Sequence, residues 1–211
     1  MAVSGILLVG FLIAHLLGNT TIFFGPAGIN AYGAHLHALG PLLWAFRIGL
    51  LVTFIIHVWL GIWLKLENWA AKPRTYAKKK PRRTTLAGET MIYSGLAIAA
   101  FIIYHLLQFT FRVTNPDISH FVDQMGRPDI FRMVVLSFHQ LAITIAYLLG
   151  MAALWLHLKH GIGSFFQTLG ANNDRTLPIL GRVSIISALV LALGFISIPL
   201  LIYFGIIGGS L

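Results

Sequence analysis

Cysteine is absent from the 211 residues. That excludes disulfides, thiolate-bound zinc, cysteine-held iron–sulfur clusters, a cysteine nucleophile and any cofactor fixed to the chain by a thioether. Charge is nearly as scarce. Only 10% of residues are Asp, Glu, Lys or Arg, against about a quarter in a soluble domain. Glutamate occurs only at Glu67 and Glu89. No low-complexity tail and no internal repeat stands out.

What remains is apolar, at 57% of the chain. A hydrocarbon core of about 30 Å needs roughly 20 helical residues to cross. Five stretches are long enough, at about 2–24, 41–66, 86–111, 131–166 and 178–207. They fill residues 1–211 as a single domain and leave no room for a separate soluble one. The expected fold is all-α, an integral membrane bundle of five transmembrane helices. The first stretch lacks a basic leader region and a cleavage site, so it is expected to stay as a helix. Pro199, inside the last stretch, removes a helical hydrogen bond and is expected to kink it.

The net charge of +9 would suggest nucleic acid in a soluble protein, but its distribution speaks for topology instead. The connection after the second stretch holds Lys65, Lys72, Arg74, Lys78, Lys79, Lys80, Arg82 and Arg83, and that after the fourth holds Lys159, Arg175 and Arg182. The other two connections carry only Arg47, Arg112, Arg127 and Arg132. Loops rich in Lys and Arg stay in the cytoplasm. The N-terminus is therefore expected to be cytoplasmic and the C-terminus outside, with no nucleic-acid partner. The Lys78–Arg83 run suits anionic membrane lipid, a soluble partner subunit, or both.

Nine histidines are present, and four of them, His15, His57, His105 and His157, lie deep in four different apolar stretches. An imidazole in a bilayer needs a partner, a cavity or a cofactor. With helices alternating in direction and rising about 1.5 Å per residue, His15 and His105 fall in the outer half and His57 and His157 in the inner half. Matching depths gives two pairs on alternate helices of a bundle. Two b-type haems, each held by two histidines, are the simplest occupants. The alternatives are interhelical hydrogen bonds or, less suited to separated pairs, zinc or copper. Small residues near the inner pair, Gly61, Gly150, Ala153, Gly161 and Ser164, suit either macrocycle clearance or plain helix packing.

Longer stretches then look familiar. GFLIAHLLGNTTIFFGPAGINAY, HVWLGIWLKLENWAAKPRTY, IIYHLLQF and LWLHLKHGIGSFFQTLG together resemble, over nearly the whole length, the single-polypeptide di-haem cytochrome b subunit of succinate dehydrogenases and fumarate reductases. The resemblance implies a bacterial cytoplasmic (inner) membrane location and six-coordinate irons. His15 and His105 would hold the outer haem, and His57 and His157 the inner. His157 is favoured over His160 because the family's last ligand stands four residues before a glycine. It implies a flavoprotein subunit and an iron–sulfur subunit on the cytoplasmic face, with electrons passing from the latter through haem to membrane quinone. No succinate chemistry belongs to this chain. An outer quinone site and two haems lean toward menaquinone. Two departures stand out. Trp155 occupies the position where some members carry a buried glutamate used in proton movement, and the basic stretch that precedes the first helix in the family is missing from this sequence.

Quinone needs apolar walls and a few polar groups; Asn30, Tyr32, His35, His37 and Arg47 are the candidates. Haem propionates need cations or donors; Arg112 and Arg132 are candidates outside, and Lys65, Lys159, His160 and Arg182 inside. The rival expectations are the di-haem quinol cytochrome subunit of another respiratory oxidoreductase, such as a nitrate reductase or formate dehydrogenase, and a haem-free polytopic transporter or anchor.

Overall fold

The computed structural model describes residues 1–71, 90–170 and 173–209. Among them there is no strand, only one β-bridge between Val122 and Pro128. The helices are α1 (Ala2–Asn19), α2 (Gly25–Ala38), α3 (Pro41–Ala70), α4 (Met91–His105), α5 (Pro116–Ser119), α6 (Ile130–Phe138), α7 (Leu141–Thr168) and α8 (Thr176–Tyr203). Five helical stretches among the described residues are long and apolar enough to cross a membrane. The chain is an all-α, multi-pass membrane protein. The Lys72–Arg83 basic run and the expected start of the third span at 86–89 lie outside the described residues.

Three features refine the expected spans. The first connection is helical. A short 3-10 turn, Thr20–Phe24, follows α1, and Gly25 at φ +73° ends it. Pro26 then stands in the first turn of α2, where its missing N–H costs nothing. The fourth span is two helices rather than one. α6 stops at Phe138, Gln140 is extended at ψ 115°, and the Thr144 hydroxyl donates to the orphaned Phe138 carbonyl at 2.7 Å. The third span ends in a π turn, Leu106–Thr110, closed by Phe111 N–H donating to the Leu106 carbonyl at 2.8 Å, and Arg112 follows at φ +58°. Pro199 is buried inside α8, which continues past it to Tyr203.

The tightest helix pair is α7 with α8, around Met151, Leu154, Leu158, Ala188 and Leu191. In lipid, close packing takes the place of the hydrophobic effect in holding helices together, and Gly163 lets Ser184 approach α7. α3 contrasts with this pair. None of its residues is buried, and Trp44, Trp59 and Trp63 face outward. α1 and α4 make few backbone approaches to each other, as do α3 and α7. The interior between these four helices is bridged chiefly by side chains.

At the end of the bundle where α3 begins, α2, α5 and α6 form a cap. Asn30, 1% exposed, donates to Asp129 at 3.0 Å and accepts from Phe131 N–H at 3.0 Å. It ties α2 to the start of α6. Asp123 organises the loop between α5 and α6, accepting from Met125 and Arg127 N–H at 2.9 Å each and pairing with the Arg127 guanidinium at 2.7 Å. The Arg127 side chain holds this carboxyl below its usual range. A depressed pKa adds stability above the unfolded value of about 3.9 and loses it as pH falls through the folded value. Protection of the Met125 and Arg127 amides against hydrogen exchange should therefore be constant from neutrality down to about pH 4 and be lost only below it. Loss near pH 6 would mean a different group closes the loop.

Candidate functional site: two facing histidine pairs

The histidines meet in the pairs that depth matching selects. The ring centroids of His15 and His105 are 5.8 Å apart at an interplanar angle of 87°. Those of His57 and His157 are 6.2 Å apart at 68°. Two imidazoles sharing a direct hydrogen bond would bring their centroids to about 5 Å. A metal between them, about 2 Å from each nitrogen, sets the centroids at about 6 Å. The observed spacings lie near the second value, which is also within the range of a T-shaped ring contact.

The hydrogen bonds behind the rings also bear on metal binding. Ser4 donates its hydroxyl to the Met1 carbonyl at 2.9 Å, so its oxygen faces His57 Nδ1, 3.1 Å away, as an acceptor. Ser94 does the same, donating to the Met91 carbonyl at 3.0 Å and facing His157 Nδ1 at 3.3 Å. Tyr147 donates to Gln108 at 3.0 Å and accepts from His105 Nδ1 at 3.0 Å. With those hydroxyls committed elsewhere, all three contacts suit a proton on Nδ1, the tautomer a metal-binding imidazole adopts. His15 differs. The Asn19 amide donates to the His15 carbonyl at 2.7 Å and lies 3.4 Å from Nδ1 and 3.3 Å from Nε2, so an iron on Nε2 would need that amide to turn aside.

Clearance around the His57–His157 pair comes from neighbouring helices. A Cβ on Gly5 would stand 3.4 Å from His57 Cε1, and one on Gly95 would stand 3.2 Å from His157 Cε1. The small residues singled out on α7 serve elsewhere. Gly150 admits the Phe101 ring, a Cβ on Gly161 would stand 3.7 Å from the Met91 methyl, and Ser164 bonds His160 at 3.1 Å.

The donor set fits haem. Among the described residues no third His, Asp or Glu joins either pair. A bare zinc or copper ion needs about four ligands, whereas iron already held by a porphyrin needs only two axial ones. Gln108 Nε2 and Trp155 Nε1 are buried without a partner among the described residues. Each is close in sequence to a paired histidine, and each is a donor of the kind an acidic cofactor side chain satisfies.

The remaining candidates scatter. Asn30 spends both ends of its amide on the cap. The Tyr32 ring packs against Gly18, His35 is exposed, and His37 bonds the Gly33 carbonyl at 2.8 Å. Arg47 lies over Trp44, Lys65 over Trp69, Lys159 over Trp155 and Arg132 over Phe121. The Arg112 guanidinium reaches the Ser119 carbonyl at 3.4 Å, and Arg182 is exposed. Ser4, Ser94, Tyr147, Gln108, Gly5 and Gly95 were not singled out from sequence. Comparison with protein-family models, with curated proteins and with solved structures found no match.

Proposed function

We propose that this chain is the di-haem cytochrome b membrane-anchor subunit of a succinate:quinone oxidoreductase. One observation carries the reading: two separate histidine pairs, at 5.8 and 6.2 Å, stand at the spacing of two axial ligands on one iron. Bound haem would supply one-electron carriage, since an iron with two imidazoles has no open position for oxygen chemistry. The chain's own work is to hold the rings, offer an acceptor to Nδ1 of three of them and keep water away. Phe11 and Phe195 crowd His15, while Phe101 and Phe109 crowd His105.

Eleven of the fifteen Lys and Arg residues fall in two connections, which supports cytoplasmic docking of a flavoprotein and an iron–sulfur protein at the end nearer His57 and His157. The opposite end, with Tyr32, His35, His37 and Arg47, would then face outward, toward a quinone exchanged with the bilayer. The location follows as a bacterial cytoplasmic membrane. The test is purification of the intact assembly from native membranes. Two protohaems per chain and a co-purifying flavoprotein with covalent flavin are expected. A colourless assembly, or a molybdenum-containing partner in place of the flavoprotein, would overturn the assignment.

A further inference from the structure

The two halves of the bundle repeat each other. Met1, Ser4, Gly5, Phe11 and His15 recur at the same spacing as Met91, Ser94, Gly95, Phe101 and His105. His57, Gly61 and Ile62 recur as His157, Gly161 and Ile162. The contacts recur with the letters. The Met1 methyl lies 3.5 Å from where a Cβ on Gly61 would stand, and the Met91 methyl 3.7 Å from the same point on Gly161. Ser4 faces His57 within the first half, and Ser94 faces His157 within the second. α1 with α3 therefore matches α4 with α7, and each histidine pair joins two equivalent positions of the repeat.

We infer that Ser4 and Ser94 are twin positioning residues that set the reduction potential of the iron held by His57 and His157. The inference rests on the haem reading above. The hydroxyls point their oxygens at Nδ1 because their own protons are committed to the Met1 and Met91 carbonyls. A hydrogen bond accepted from Nδ1–H makes the imidazole a better electron donor and fixes the ring's rotation about the metal bond. It favours the oxidised iron and lowers the potential. The repeat would apply the effect to both histidines of the pair. The His15–His105 pair lacks this symmetry, with Tyr147 behind one ring and the Asn19 amide along the other. The two sites are thus tuned separately by the chain.

The test uses the full assembly in membranes, carrying Ser4→Ala, Ser94→Ala, both together, and Ser4→Thr with Ser94→Thr. Redox titration of the reduced haem bands and low-spin electron paramagnetic resonance are the readouts. Expected are a rise in the potential of one haem and a change in its low-spin g values with either alanine. The double variant should shift further, the other haem should be unmoved, and threonine should restore both properties. Alanine variants that lose one haem while the threonine variants keep it would also support the assignment. Alanine variants that titrate like the parent would overturn it. So would an equal shift of both haems, or haem loss from alanine and threonine variants alike, which is the mark of packing. A parent assembly with no haem would instead reject the functional reading.

Discussion

Leucine in place of any one of the four paired histidines should halve the haem content, and the haem lost should depend on the pair. An iron held by two imidazoles loses half its protein bonds when one is removed, and leucine offers no lone pair. His57→Leu and His157→Leu should therefore delete the same absorption component, and His15→Leu and His105→Leu the other. Combining His57→Leu with His157→Leu should cost no more haem than either alone. Combining His57→Leu with His105→Leu should leave none. Pyridine haemochrome counts on purified chains read the stoichiometry, and redox titration identifies the survivor. Retention of two haems by any single variant would remove that histidine from the ligand set. A cross-pair double variant that keeps one haem would break the pairing drawn from the 5.8 and 6.2 Å contacts.

The pairing was legible in the sequence because depth is a one-dimensional quantity. Five apolar runs, alternating in direction at a fixed rise per residue, place each histidine along the membrane normal. Two depths can then be compared without knowing how the helices pack. Features that depend on lateral packing or on backbone detail were not legible. Apolar runs continue smoothly through Phe138–Leu141 and Leu106–Thr110, yet the backbone breaks or widens at both. The signals there are single hydroxyls and amides, Thr144 and Gln140, that hydropathy averages away. The internal repeat escaped because equivalent halves share few letters. Within Ser4–His15 and Ser94–His105 five positions stay the same, the serine, glycine, phenylalanine and histidine around the imidazoles and the exposed Ile13 and Ile103, while the other seven interchange among small, apolar and aromatic residues. Searching for recurrence around each histidine, rather than along the whole chain, would have found it. Ser4 and Ser94 look like ordinary small residues of a membrane helix. Their role appears only when His57 and His157 arrive from other helices.

Asn30→Leu should be the most damaging change outside the histidine pairs, and its effect should be on stability. As a polar residue in an expected outer connection, Asn30 read as a quinone contact; in the fold it is 1% exposed and fully engaged. Leucine would leave the Phe131 N–H without its acceptor and take one of two donors from Asp129 Oδ1, which keeps the Arg132 N–H at 3.1 Å. A buried group left unpaired costs about 1–3 kcal/mol, more where it is charged. Loss of about 1–3 kcal/mol is expected, read as a lower melting temperature by circular dichroism in detergent. Asp129→Ala should cost less than the sum of its own effect and that of Asn30→Leu when the two are combined, because they share a bond. Haem content should survive in Asn30→Leu, since neither hydrogen bond of Asn30 involves a paired histidine. The opposite result, unchanged melting with quinone reduction abolished, would return Asn30 to the quinone site and assign the cap's cohesion to Ile22, Ile29 and Val135 instead.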